Sequence, residues 1–457
     1  MSAPRSLLAP ARYLSREESE SVARRALGFA KADETRITIN SGGTGNTRFA
    51  VNQVSTAGDN YNAVVTILSS FGRRSGSVTT NRLDDEGLRR AVESAEELAR
   101  LAPEDPEAMP ELGPQQYAES AGWSDATAAL DPTGRAEMVQ RVTSASLSAG
   151  LQSTGYLESE AGATAVANSR GLFAYSRQTG AAMTTTIRTA DGTGSGWAGA
   201  AANDVSQIDA GALAARALEK ARRSANPVAV EPGRYTVVLE PTAVGNLVQL
   251  LAFALSARNA DEGRSFFSKQ GGGTKIGEKV LDERVTLVSD PADPRAPSST
   301  FTGEGLPVER TTWIENGVVK NLAYDRYWAQ KQGKRPVPLG GSLLMSGGDQ
   351  SIEDLIASTE RGILVTRFWY IRPVDPRTIL YTGLTRDGTF LIENGKVTRA
   401  VKNLRFNESP VFMLNNLVGM GQPVRVSASE DGGVSRGVVV PPIKTRDFNF
   451  TSLSDAI

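Results

Sequence analysis

Arg258, Asn259, Asp261, Glu262 and Arg264 are followed by Ser265-Phe266-Phe267 and the glycine loop Gln270-Gly271-Gly272-Gly273. Charge, hydroxyl and pliable backbone thus follow directly on an apolar stretch, and such a change of character marks the rim of a cleft. Arg258, Arg264 and Ser265 are the candidates for lining a substrate groove there. The chemistry open to them is narrow, because the 457 residues include no His and no Cys. Nucleophilic triads need an imidazole that takes up and returns a proton near neutral pH. Catalytic zinc, haem and iron–sulfur sites draw their protein ligands mainly from His and Cys. What remains is a Ser-Lys pair, an oxygen-ligated cation or carboxylate acid–base work.

Other motifs have plainer readings. In Gln270 to Glu278 the glycines stand near phosphate-loop spacing, but Glu278 follows Gly277 where Lys and Ser or Thr are required, so a mobile loop is expected. Gly192-Thr193-Gly194-Ser195-Gly196 has β-like sequence on both sides and reads as a hairpin or bulge, not a dinucleotide fingerprint. Lys331 to Arg335 lies beside Pro336 and Pro338 and reads as a solvated loop. Asp84-Asp85 and Glu17-Glu18 sit in first helical turns, where carboxylates complement the helix dipole.

The elements that position these residues follow from periodicity and punctuation. Ser15-Arg16-Glu17-Glu18 is a capping box opening a helix to about Lys31. Strand-like runs follow at Arg36 to Asn40, Arg48 to Thr56 and Tyr61 to Phe71, then a helix over Asp84 to Leu101. Four prolines between Pro103 and Pro114 mark a linker. A helix near Thr133 to Leu147 opens a second unit, with a turn at Asn168-Ser169-Arg170-Gly171 and a helix from Ala210 to Ser224 that ends before Asn226-Pro227. A β-run at Tyr235 to Leu239 opens a third. Ile314-Glu315-Asn316-Gly317 and Ile392-Glu393-Asn394-Gly395 are matching hairpins, with Asn-Gly where a type I′ turn needs positive φ. Thr242 to Ser256 is apolar nearly all round and should be a buried helix. The expected class is α+β: an N-terminal α+β domain (1–102), a Pro-rich linker (103–124), a middle α+β domain (125–227), both with antiparallel sheets, and a mostly-β C-terminal domain (228–457).

From that helix outward the sequence resembles the TldD/PmbA metallopeptidase family. Arg48-Phe49-Ala50-Val51-Asn52 is similar to the family's N-terminal signature, and Ala167-Asn168-Ser169-Arg170-Gly171 to its middle-domain turn. Gly263-Arg264-Ser265-Phe266, Gly277-Glu278-Lys279-Val280, Gly303-Glu304-Gly305-Leu306-Pro307, the two hairpins and Glu360-Arg361-Gly362-Ile363-Leu364-Val365 follow in order. The resemblance implies that the TldD motif His-Glu-x-x-x-His falls on Val248, Gln249 and Phe253, and a further cysteine ligand on Ser435. Every ligand is replaced, which is the pattern of the PmbA (TldE) branch.

That branch implies a non-catalytic subunit that binds no cofactor itself and pairs with a TldD-type metallopeptidase subunit carrying a zinc-type metal. The complex would process or degrade unfolded peptides held by main-chain pairing. A homodimer is an alternative assembly. Two further readings stand beside this one: a self-associating peptide-binding module, and a peptidase in its own right using a Ser-Lys pair or an oxygen-ligated cation. The balance of 50 basic and 51 acidic residues offers no field for nucleic acid, and the family's association with DNA gyrase finds no basic patch. With no apolar run of membrane length and no signal-like segment at the N-terminus, a cytoplasmic protein is expected.

Overall fold

The computed structural model describes residues 13–428, 430, 433–434 and 437–454. Ser15 accepts from the Glu18 amide and Glu18 answers the Ser15 amide, closing the capping box that starts α1 (Arg16–Phe29). Two long strands follow, β1 (Glu34–Ala50) and β2 (Gln53–Phe71), then β3 (Arg74–Thr80) and α2 (Asp85–Leu101). The run Arg48 to Thr56, expected as a strand, instead contains the turn between β1 and β2. Val51 and Asn52 both take positive φ there, 51° and 62°. Asn adopts this region readily, whereas a β-branched residue seldom does, so the valine hides the turn.

Residues 103–124 hold no regular secondary structure, and α3 (Asp125–Ala128) and α4 (Pro132–Ser148) follow. Then come β4 (Gln152–Asn168), β5 (Phe173–Arg188), β6 (Ser195–Ala202) and α5 (Ala210–Arg223). The six strands form one antiparallel sheet in the order β3-β2-β1-β4-β5-β6, with β1 and β4 paired from Arg36↔Asn168 to Phe49↔Gly155. The two units on either side of the linker are therefore halves of one sheet. Alternation sends Leu157, Ser159, Ala161, Ala163 and Ala165 to the buried face, and Glu158, Glu160 and Thr164 to the other. On the buried face Ala26, Leu88 and Val92 meet Ile37, Ile39, Val65 and Ile67, while Val139, Val142 and Ala217 meet Leu157, Met183 and Ile187.

The rest of the chain is β-rich. It comprises β7 (Gly233–Leu239), α6 (Pro241–Phe253), α7 (Ala257–Asp261), β8 (Leu287–Ser289), β9 (Thr311–Glu315), β10 (Val318–Val319) and α8 (Arg326–Lys331). There follow β11 (Ser342–Met345), α9 (Ile352–Ala357), β12 (Arg361–Asp375), β13 (Leu380–Glu393), β14 (Lys396–Ala400) and β15 (Leu404–Glu408). The last elements are α10 (Pro410–Asn415), β16 (Leu417–Met420), β17 (Val424–Val426), β18 (Gly437–Val440) and β19 (Ile443–Leu453). One sheet runs β10-β9-β8-β11-β18-β17. The other runs β12-β7-β19-β15-β13-β14, and because β12 also pairs with β13 its first five strands close into a ring. Both Asn-Gly hairpins form as expected: Asn316, Gly317, Asn394 and Gly395 take φ of 50°, 76°, 50° and 74°, between the pairs Glu315↔Val318 and Glu393↔Lys396. The fold is α+β throughout, with a β-rich C-terminal part.

α6 lies in the largest core. Val244, Leu247, Val248 and Leu251, at helical spacing, have no exposed surface. Each contributes about 1.5–3 kcal/mol by leaving water. The helix is shorter than the expected Thr242 to Ser256, because Ser256 caps α7 through the Asn259 amide at 3.3 Å.

Candidate functional site

Of the motif positions on α6, Val248 turns into the core, whereas Gln249 shares a face with Asn246 and Phe253, about one turn away on either side. That face meets the segment between β17 and β18. Gln249 Nε2 and Asn246 Nδ2 both donate to the Ala428 carbonyl at 2.9 Å, and Asn246 Oδ1 accepts from the Phe368 amide of β12 at 3.1 Å. Ala428 is 1% exposed, so the two amides satisfy a carbonyl that would otherwise be buried without a partner. Beyond it, Glu430 accepts from the Ile371 amide at 2.7 Å, and the Val434 amide donates to Glu158 Oε2 at 2.9 Å. Ala428, Glu430 and Val434 thus make contact with α6, β12 and the open face of the six-stranded sheet, respectively.

That face carries a groove of about 340 Å³, lined among others by Asn40, Thr44, Asn62, Glu160, Thr164 and Gln178. Glu160 keeps solvent contact by area, yet enough protein surrounds its carboxyl that desolvation, and then the charge of Glu158, raises its pKa above the ordinary carboxylate range. The groove is polar, uncharged apart from this acid, and rich in backbone; it suits an extended chain better than a charged small molecule.

The sequence-derived positions distribute as follows. Val248 is core, as expected of a residue with no ligand function. Gln249 is committed to Ala428. Phe253, expected to pack as core with these two, is 58% exposed, because it follows Leu251 by two residues and so points away from the buried stripe. Ser435 lies outside the described residues. Arg258 does not line the groove: it grips Glu107 of the linker through two 2.7 Å bonds and also pairs with Glu262 at 3.3 Å. Arg264 pairs with Glu262. Ser265 is buried at the corner after α7, its hydroxyl accepting from the Phe267 amide at 3.1 Å. These three brace α7 and the corner that follows it. The glycine loop is a series of turns in which Gly271, Gly272, Gly273 and Gly277 all take positive φ.

The alternative chemistries have identifiable residues. A Ser-Lys contact exists: Lys444 Nζ lies 3.2 Å from Ser358 Oγ and donates to the Ser358 carbonyl at 2.7 Å. Burial holds Lys444 below the usual lysine range. Ser358, however, closes the C-terminus of α9, and a lysine on the last carbonyl of a helix is a cap. Among the described residues no three Asp or Glu side chains converge on a point that could hold a cation. Two larger cavities, about 560 and 630 Å³, lie where the middle part meets the C-terminal part. The first includes Asp387, which sits between Ser195 Oγ at 2.6 Å and Arg367 Nη2 at 2.7 Å; the second includes the Lys220–Glu240 pair. Both pairs staple the two parts together. Sequence reasoning missed the roles of Asn246 and Glu158; the cue to Asn246 was its place beside Gln249 as a polar residue on an otherwise apolar helix.

Comparison with known proteins places this geometry in a family. A model described as the PmbA/TldA metallopeptidase central domain matches residues 118–225, and one described as the PmbA/TldA metallopeptidase C-terminal domain matches residues 232–452. An uncharacterized protein of Methanocaldococcus jannaschii is 36% identical over 129 residues, 28% of this chain and 30% of that protein. A metalloprotease of Methanothermobacter thermautotrophicus is 25% identical over 246 residues, 50% of this chain and 52% of the relative. A metalloprotease TldD homolog of Buchnera aphidicola is 24% identical over 239 residues, 48% of each chain. The chain thus spans about half the length, or less, of the curated relatives it matches. Among solved structures, TldE from Thermococcus kodakarensis has a TM-score of 0.82 at 21% identity, covering 95% of this chain and 100% of the other. A protein described as a candidate modulator of a DNA gyrase from Thermotoga maritima has 0.81 at 19% identity, covering 95% and 100%. At these identities the structural likenesses show the fold. Among the described residues no helix is long and apolar enough to cross a membrane.

Proposed function

The chain belongs to the PmbA/TldD metallopeptidase family, and from that premise we propose that it is the family's non-catalytic, TldE-type subunit, acting with a metal-bearing TldD-type chain on unfolded peptides in the cytoplasm. The observation that carries this reading is the use of the motif helix. Gln249 spends its amide on the Ala428 carbonyl, and Val248 spends its side chain on the core. Neither side chain offers the imidazole or thiolate that zinc requires, and the full sequence supplies none elsewhere. The residues do not fit a zinc-type ion, so no step of peptide hydrolysis is assigned to this chain.

What the chain contributes in this reading is a wall. Ala428 holds the motif helix, and Val434 bonds to Glu158, two residues along β4 from Glu160 in the groove of Asn40, Asn62 and Gln178. An extended peptide lying there would be held through its backbone and presented to the partner's metal. The test is co-purification: this chain, tagged and co-produced with a family member carrying His-Glu-x-x-x-His, is expected to bring that chain down and to raise its peptidase activity. Separate elution of the two chains, with unchanged activity, contradicts the proposal.

A further inference from the structure

Of the two cavities where the middle part meets the C-terminal part, the one of about 560 Å³ has a floor of buried polar side chains that the peptide-holding role does not use. Ser195 opens β6, Ser224 closes α5, and Asp387 and Thr389 belong to β13. Pro227 and Val401 add apolar wall, and the exposed Asn226 and Lys402 stand at the mouth. Cavities of about 300–1,000 Å³ enclose most of a small molecule, and the seam between two parts of a fold is a usual place for them.

The backbone bends to make this floor. The register of β12 and β13 passes from Val365↔Thr389 to Arg367↔Arg386, so Asp387 and Gly388 together oppose Thr366. Both take positive φ, 54° and 125°, and a Cβ on Gly388 would stand 2.7 Å from Thr366 Oγ1. Such a bulge re-aims side chains and recurs beside binding sites. Here one polar group is left unpaired: Thr389 is 2% exposed, and its hydroxyl has no hydrogen-bond partner among the described residues. Asp387 is equally buried but well bonded. Its Oδ1 accepts from Ser195 Oγ at 2.6 Å, and its Oδ2 from Arg367 Nε at 3.0 Å and Nη2 at 2.7 Å. A carboxylate oxygen has two acceptor sites, so Oδ1 can take one further donor.

We propose that this cavity binds a neutral polyhydroxylated molecule of sugar size, whose hydroxyls donate to Asp387 Oδ1 and accept from Thr389 Oγ1. A hydroxyl can do both. An anion has no proton for Asp387 and would face its charge. An ammonium cannot accept from Thr389, and it would meet a carboxylate already balanced by Arg367 and by Arg386 at 3.9 Å. The inference rests on the cavity and is independent of the partner reading.

Isothermal titration calorimetry of the whole chain with D-ribose, D-glucose and myo-inositol, beside gluconate and glucosamine as charged counterparts, tests it. At least one neutral compound should bind saturably, and more tightly than either charged one. Thr389→Val keeps the side-chain shape and should melt no lower than the wild type, because the hydroxyl it removes pairs with no described residue. It should bind the neutral compound about ten-fold more weakly, the usual effect of one lost hydrogen bond, whereas Thr389→Ser should retain binding. If valine crowds the bulge and unfolds the chain, Thr389→Ala removes the hydroxyl without filling its place and should show the same loss. No saturable binding of the three neutral compounds by the wild type overturns the proposal. So does binding that is equal in wild type and in the variants lacking the hydroxyl, which would put the ligand elsewhere, and so does tighter binding of gluconate or glucosamine.

Discussion

Gln249 donates its side-chain amide to the carbonyl of Ala428 at 2.9 Å, from the face of α6 that would otherwise carry a metal motif. This bond, doubled by Asn246, ties the helix to the chain just after β17. Rebuilding the motif with Val248→His, Gln249→Glu, Phe253→His and Ser435→Cys should therefore fail as chemistry. The glutamate would set a carboxylate against a carbonyl oxygen, and the first histidine would stand in a fully apolar core without the outer hydrogen bonds that orient a ligand. The expected product is a destabilised protein with weak zinc binding and no peptidase activity, read by calorimetry with zinc and by peptide cleavage. Chelator-sensitive cleavage by this variant would show the site to be open and pre-organised.

Position 253 separates the motif helix's buried and open sides. Phe253→Ala should change stability by no more than about 0.5 kcal/mol, as surface substitutions do, while Val248→Ala should cost about 1–3 kcal/mol through the cavity it leaves. Denaturant midpoints of the two variants measure the contrast. A loss at Phe253 as large as that at Val248 would mean that the phenyl ring is covered.

The paired hairpins have a steric as well as a conformational requirement. A Cβ at Gly317 would lie 2.1 Å from the Leu281 carbonyl oxygen, and one at Gly395 2.5 Å from that of Ala357. Gly317→Val and Gly395→Val should each cost about 1–3 kcal/mol or more, since positive φ is also denied them. Gly72→Val, at φ 56° with open space around it, carries the conformational term alone and should be milder. Equal melting temperatures for wild type and the two hairpin variants would refute the requirement.

Glu408 gives the fold a pH dependence. It is 3% exposed, and burial pushes its pKa up to about 7, although the Ser409 and Asn449 amides donate to it. A carboxyl whose folded pKa is raised holds its proton more tightly in the native state than in the unfolded chain. Stability should therefore fall as pH rises from about 4.5 to 7, by about 2–3 kcal/mol at most. Glu408→Gln should remove that part of the slope. Chemical denaturation of both proteins at pH 5 and pH 7.5 decides it, and parallel losses would assign the slope to other groups.

Much of this architecture is legible in the sequence because it is local. The capping box at Ser15, the Asn-Gly turns and the helix over Asp85–Leu101 each follow from side chains within a few residues of one another. The pairing of β1 with β4 is not local: nothing in the composition of either strand says that the chain on both sides of the linker builds one sheet. The end of α6 was hidden for a different reason, since Ala254 and Leu255 prolong the apolar run while the hydroxyl of Ser256 starts a new helix. At the candidate site, the missing His and Cys announced what the chain lacks, but the bond from Gln249 to Ala428 joins residues that only the fold brings together.

In the proposed complex, metal and hydrolysis belong to the partner chain. Native mass spectrometry of the complex co-produced with a His-Glu-x-x-x-His family member, followed by gentle dissociation and metal counting on each released chain, tests it most directly. A mixed complex is expected whose zinc-type ion leaves with the partner, with this chain released metal-free. Metal retained on this chain, or no mixed complex at all, would contradict it.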